Sequence, residues 1–543
     1  MNNIVLKLVL IGIFYLLLSA MTCNKDSEIL VAQNIESTII LNQSPIFTDD
    51  SSALLADFDI INQNEIPIEL NQFTIELSNQ LKHHSFKFIS IIYKGSKGST
   101  PLYQQFQTTS NLGLSNIILA KLHLSKGTHQ FQIRTTVSPE IDLLNSFRIK
   151  GIQLHNKGNI IHTVTPKEEY TFRPCIKVRQ GGQDNCDTYR IPGLITTNNG
   201  TLIMVYDNRY NNSKDLQEDV DIGMSRSTDG GQTWEPMKVI MDMGTYGGRS
   251  QRLNGIGDPA VLYDPNTHTT WVAALWMSGL SPDQMLWWAS NPGMTPEETG
   301  QFILSKSTDD GLTWSTPINI TSQIKKPEWQ LLLQGPGMGI TLVDGTLVFP
   351  AQFKADIGQS ALDGGKYTCH STIVYSTDKG KTWKIGEGAK SNTTEAQVVQ
   401  LQNGDLMLNM RDDRNRKDKT ENNGRAVAIT KDMGKTWLTH PSSNSGLQEP
   451  NCMASLISTT YENKKLLIFS NPNDKAERIN MTIKLSTDEG KTWPLEHQIK
   501  LNASKGYGYS CLTMIDRETI GIVYEGIKDL YFQKISLQEL LSK

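Results

Sequence analysis

The sequence predicts an all-β protein: a six-bladed β-propeller preceded by a β-sandwich. Three observations predict it. One eight-residue turn motif occurs five times between residues 227 and 493. Six pairs of apolar runs flank short turns between residues 190 and 525. Residues 24–170 contain alternating apolar runs but neither the motif nor any Trp.

The motif reads Ser227-Thr-Asp229-Gly-Gly231-Gln-Thr233-Trp234. It recurs at Ser307…Trp314, Ser376…Trp383, Thr430…Trp437 and Ser486…Trp493, and holds five of the ten Trp residues. The residue types are those of a hairpin turn. Asp accepts from turn amides, Gly takes the positive-φ position, and Trp packs under the turn. A motif of this kind speaks for fold rather than activity.

Ahead of each box lies an apolar strand, a turn and a second apolar strand. Arg190 opens the first pair, with Asn199-Gly200 as its turn. Asp258 opens the second, turning near Pro265. The third turns at Asp344-Gly345, the fourth at Asn403-Gly404, the fifth near Asn463 and the sixth near Arg517. Asn-Gly and Asp-Gly are strong short-hairpin signals. Six hairpins, five followed by a box, give six four-stranded blades over residues 173–543, with terminal strands closing the last. With two-residue loops, Arg190 faces Arg209, Arg411 pairs with Ala396 beside Glu395, and Tyr509 lies opposite Glu525. The ionisable groups thus sit at the strand ends away from the turns. Equivalent ends of successive blades share one face, so these groups gather at one central mouth.

Residues 24–172 are expected to form the β-sandwich, from runs such as FKFISIIY, AKLHLS and HQFQIRTTV. A carbohydrate-binding role and a spacing role are both open for it. Residues 1–23 read as a signal peptide: Lys7, the apolar run Leu8–Leu18, then Ser19 and Ala20. Cys23 is an alternative point for a lipid anchor in a bacterial outer membrane. The product is expected to be exported: periplasmic, cell-surface or secreted. Export would permit a Cys175–Cys186 bridge. The formal net charge of −4 argues against a nucleic-acid partner. A monomer is expected.

Tyr189-Arg190-Ile191-Pro192 matches the "RIP" motif of sialidases, and the five boxes resemble their Asp boxes. Residues 175–543 resemble the catalytic propeller of secreted bacterial exo-α-sialidases (neuraminidases) that carry an N-terminal β-sandwich. The resemblance implies an arginine triad for the sialic acid carboxylate: Arg190, Arg411 and Arg478. Arg414 and Arg416 compete with Arg411. It implies Tyr509 as nucleophile, Glu395 as the base taking its proton, and Glu525 holding Arg190. Asp215, six residues after Arg209, is implied as the general acid/base, with Asp219 and Asp221 as alternatives. Arg209 and Asp258 are implied to contact substrate. Trp276 is open between lining the N-acetyl pocket and packing in the core. Gly193 departs from the more usual Ala after RIP, a change expected to matter little.

The expected function is a retaining exo-α-sialidase acting on sialylated glycans through a covalent tyrosyl intermediate, with no metal or organic cofactor required. A trans-sialidase on the same site would differ in product. A catalytically silent sialic-acid lectin would tolerate loss of Tyr509, Glu395 or Asp215.

Overall fold

The computed structural model describes residues 34–78, 86–98, 104–108, 114–358 and 361–542. The expected signal segment and Cys23 lie outside the described residues. The chain divides into two compact units, residues 1–174 and 175–543.

The described residues of the first unit form two antiparallel sheets. One runs Ile35–Leu41, Ala53–Asn62, Gly127–Val137, Phe86–Ser96, Gln104–Thr108; the other runs Asn159–Val164, Ile149–Asn156, Ile68–Leu77, Leu114–Leu124. Both feed one apolar cluster. Phe58 and Phe131 of the first sheet stack at 4.9 Å, and Phe73 of the second meets Phe131 edge-on at 5.6 Å.

The described residues of the second unit form six sheets. Their first strands are Thr188–Thr196, Ile256–Asp264, the interrupted pair Leu331–Gln334 and Ile340–Thr341, Thr393–Gln400, Ser455–Tyr461 and Ser510–Met514. Thr188–Thr196 is buried almost throughout. Such strands are covered on both faces, which is why they read as apolar runs rather than alternations. They pack on one another in succession, except that the third sheet meets Thr393–Gln400 through Leu347–Ile357, and Ser510–Met514 packs on Thr188–Thr196. The last sheet takes its fourth strand from the start of the unit: Ile176 pairs with Phe532 and Lys177 with Tyr531.

Hairpin registers differ from expectation, by two residues at Arg190 and by one at Ala396. Arg190 pairs with Asp207, not Arg209, and Met410 rather than Arg411 pairs with Ala396. Two causes act. The loops hold three residues, since Thr197 N bonds to Thr201 O and Leu401 N to Asp405 O. The first strands also bulge at their site ends, between Arg190 and Gly193, Gly257 and Ala260, and Thr393 and Ala396. Ile191 and Asp258, each directly before a proline, take φ of +56° and +57°. Pro192 and Pro259 have no N–H for a ladder bond, so the bulges fall where pairing is already lost. Tyr509 does lie opposite Glu525: Glu525 N donates to Tyr509 O at 2.9 Å.

The third hairpin departs furthest. Gly337-Met338 leaves its sheet and pairs in parallel with Ala260-Val261 of the preceding one. That close approach explains Gly193. A Cβ there would meet the Gly337 carbonyl oxygen at 2.4 Å, so the missing methyl has a packing reason. Among the described residues no disulfide forms. Cys175 Sγ lies 4.0 Å from the Tyr524 hydroxyl. Cys186 sits beside Tyr189 and Asp184, and burial pushes its thiol up to about 12.

The boxes close as their chemistry dictates. In the second, Ser307 Oγ donates to Asp309 Oδ1 at 2.8 Å, Gly311 N donates to Ser307 Oγ at 2.9 Å, and Thr313 N donates to Asp309 Oδ1 at 2.8 Å. Gly311 has φ +83°. The Thr313 bonds outweigh burial and hold the Asp309 carboxyl down at about 2. Asp309→Ala is expected to cost about 1 kcal/mol, read as a lower urea midpoint at unchanged slope. Asp309's contribution is full above the ordinary value of 3.8 and fades as pH falls toward about 2.

Candidate active site

The bulged strand ends and the loops beside them enclose a cavity of ≈ 250 Å³. Arg190, Asp258, Glu395 and Tyr509 reach it from first strands or their flanks, Arg411 from a second strand, and Asp215 and Arg478 from loops. The bulges re-aim these side chains, and the positive φ at β-branched Ile191 is strain held at the cavity wall.

Arg190 is fixed by a fully buried carboxylate. Its Nε donates to Glu525 Oε1 at 3.0 Å and its Nη2 to Oε2 at 3.4 Å. Glu525 also accepts from Ile191 N at 2.8 Å and Tyr509 N at 2.9 Å. One carboxylate therefore ties the arginine to the tyrosine strand. The Arg190 guanidinium lies 4.7 Å over the Tyr507 ring and 5.2 Å over the Tyr509 ring.

The Tyr509 hydroxyl donates to Glu395 Oε1. Arg411 Nη1 donates to Glu395 Oε2 at 2.7 Å and to the Tyr509 hydroxyl at 3.2 Å. Arg478 Nη1 donates to Tyr507 O at 2.8 Å, and its Cζ lies 5.7 Å from the Tyr509 ring centre. Burial, then the Glu395 charge, hold the Tyr509 phenol well above its ordinary value, against the pull of Arg411 and Arg478. The resting tyrosine is a neutral phenol whose proton faces a carboxylate, a geometry suited to base-assisted attack.

Asp215 faces the cavity with its side chain 44% exposed. Arg209 Nη1 donates to it at 2.8 Å and Arg190 Nη1 at 3.4 Å. Burial alone would raise this carboxyl, but Arg209 and Arg190 overcome it and hold it at about 2. Asp258, squeezed by burial and by Asp207 and Asp215, is pushed well up. Leu216, next to Asp215, packs with Leu286 and Leu333 in an apolar cluster under the cavity rim.

Arg209, an expected substrate contact, and Trp276, left open, both lie away from the cavity lining. Arg209 is 1% exposed and does not line the cavity. Its Nε and Nη2 grip Asp207 Oδ2 at 3.0 and 2.8 Å, and its Nη1 carries Asp215. Asp207 Oδ1 in turn accepts from Asp258 N at 2.8 Å. The register shift that moves Asp207 opposite Arg190 places Arg209 beneath Asp215. Trp276 is packed in the core, edge-on to Tyr246 at 4.9 Å. The tryptophans that line the cavity are instead Trp287 and Trp288, on the short helix Leu286–Ala289. Lys354, paired with Asp363 at 2.6 Å, sits 4.6 Å over the Trp287 ring and 5.6 Å over Trp288. Adjacent tryptophans outside any box were the available signal.

Of the competing residues, Arg416 lines the cavity while Arg414 does not; Arg414 binds Asp412 and Ser391 O. Asp219 and Asp221 do not line it, and Asp221 accepts from Tyr210 at 3.0 Å. Gln352 and Asp363 also face the cavity and carried no recognisable signal.

Comparisons with known proteins match this architecture. A BNR repeat-like domain model matches residues 200–522. The chain is 47% identical over 439 residues to a sialidase of Bacteroides fragilis, covering 80% of this chain and 77% of that one. It is 30% identical to a sialidase of Clostridium perfringens, covering 65% of this chain and 90% of that one. Among solved structures, Hadza microbial sialidase Hz136 is similar with a TM-score of 0.79 at 38% identity, covering 92% of this chain and 99% of that one. Trypanosoma rangeli sialidase in complex with 2,3-difluorosialic acid shares the fold at 20% identity and a TM-score of 0.51, covering 66% of this chain and 55% of that one.

Proposed function

The chain belongs to the bacterial sialidase family, and from that premise we propose how its cavity works. The protein is an exo-α-sialidase, a glycoside hydrolase whose substrates are sialylated glycans. One observation carries the site assignment: Arg190, Arg411 and Arg478 line a single cavity with Tyr509.

Sialic acid bears a carboxylate on its anomeric carbon. Three guanidiniums grip it with charge-assisted hydrogen bonds. The same carboxylate repels an anionic nucleophile, whereas a neutral phenol approaches without that cost. As Tyr509 Oη bonds to the anomeric carbon, its proton passes to Glu395. The glycosidic C–O bond breaks, and Asp215 protonates the leaving oxygen. Water then attacks the same carbon and gives its proton to Asp215. The tyrosyl C–O bond breaks, and Glu395 returns the proton to Tyr509. Two displacements retain configuration. Asp258 holds the sugar beside this centre.

The first-formed product from an α-sialoside is expected to be the α-anomer of free sialic acid, seen by proton NMR before it mutarotates. Release of the β-anomer first, or of an anhydro sugar, would overturn the scheme.

The six sheets are assigned to six blades of a propeller. A second cavity of ≈ 440 Å³ supports this: it is lined at the opposite strand ends by Ile195, Tyr263, Ile340, Val399, Ile457 and Thr513, one from each sheet. The two sheets of the first unit are assigned to a sandwich, with a glycan-binding or spacing role. The protein is further assigned as an exported monomer, with Cys23 as the point of any lipid anchor.

A further inference from the structure

We propose that Asn451 is a positioning residue that aims two of the three carboxylate-binding arginines, an inference that rests on the sialidase reading above. Asn451 is buried and has φ +55°, a left-handed conformation that Asn tolerates better than most residues. It touches both guanidiniums from different atoms. Its side-chain Oδ1 accepts from Arg411 Nη2 at 3.0 Å, and its backbone carbonyl accepts from Arg478 Nη2 at 3.4 Å.

The residue is itself anchored. Its Nδ2 donates to Asp412 O at 3.0 Å and to Asp413 Oδ1 at 3.3 Å. These lie directly after Arg411, so the clamp is tied to the strand end that carries its cargo. Glu449, two residues before, accepts from Asp412 N at 2.9 Å and pairs with fully buried Arg425 at 2.7 Å. The segment is thus locked on both sides.

The reason for a clamp lies in how Arg411 is held. Its Nη1 is shared between Glu395 and Tyr509, and its Nε is buried without a hydrogen-bond partner. Among the described residues Asn451 is the hydrogen-bond partner of Nη2. Without it, the guanidinium is free to turn about its contact with Glu395. It would then neutralise the base rather than present its N–H edge to the ligand carboxylate. A neutral amide oxygen fixes the orientation without competing for the charge.

Asn451→Gly removes the side chain but keeps the left-handed backbone and its carbonyl. Asn451→Ala also strains the backbone that holds Arg478. Both are compared with wild type for affinity toward sialic acid and its 1-methyl ester, for KM and kcat on an aryl sialoside, and for melting temperature. Asn451→Gly is expected to weaken the acid on the order of tenfold, leave the ester unchanged, and raise KM more than it lowers kcat. Asn451→Ala is expected to lose more of the acid affinity. Equal losses for acid and ester, or no loss, would overturn the role. A wild type that neither binds the acid nor cleaves the sialoside would instead overturn the sialidase reading itself.

Discussion

Tyr509→Phe is expected to lower kcat on an aryl sialoside on the order of 10³-fold or more, because it deletes the nucleophile and leaves the base with no proton to take. The ring stays under Arg190 and Arg478, which lie 5.2 and 5.7 Å from its centre. Glu525 still accepts from the backbone N of residue 509. Binding of a non-hydrolysed sialic acid analogue should therefore change by no more than a few fold, since the three arginines remain. Intact-mass measurement with a fluorinated sialoside supplies the second readout. Wild type should gain one sialyl group, and the variant none. Retained turnover together with a trapped adduct would show that another group attacks. Loss of analogue binding in step with kcat would show instead that Tyr509 holds the arginines rather than the anomeric carbon.

What the sequence made legible divides by range. The box turns are local: Asp309, Gly311 and Thr313 bond within five residues of one another, so their chemistry can be read directly. Strand identity was also legible, because strands buried on both faces are apolar runs. Register was not. A third loop residue or a bulge changes pairing by one without altering the hydrophobic pattern, and here both occur in the first hairpin. The consequence is functional: the shift puts Asp207 opposite Arg190 and Arg209 under Asp215. Side chains whose roles come from distant partners were the hardest. Asn451 meets Arg411 across 40 positions, and nothing in Glu-Pro-Asn-Cys announces it. Trp276, left open between pocket and core by its residue type alone, has its place in the core.

Asp215→Ala is expected to lose about 10²–10⁴-fold on natural linkages, the usual contribution of a general acid. The loss on an aryl sialoside should be much smaller, because an activated phenolate leaves with little help from a proton. The resting carboxyl sharpens the expectation. Arg209 and Arg190 outweigh burial and keep it near 2, so at neutral pH the free enzyme carries it ionised. An acid must be protonated to act. A ligand carboxylate on Arg190 offsets one of the two charges that lower Asp215, and this moves its pKa upward. Binding of a sialic acid analogue should therefore take up protons, seen as a buffer-dependent heat in calorimetry. For natural linkages kcat/KM should fall as pH rises above the Asp215 value in the free enzyme, and this fall should be shallow for the aryl substrate and absent in Asp215→Ala. The stability sign runs the other way: a depressed carboxyl stabilises the fold above its unfolded value and loses that contribution as pH falls toward about 2. Acid therefore favours the reactive form while loosening the loop that carries it. Equal losses on both substrates, or proton release on binding, would remove Asp215 from the acid role and leave it as a partner that merely fixes Arg190.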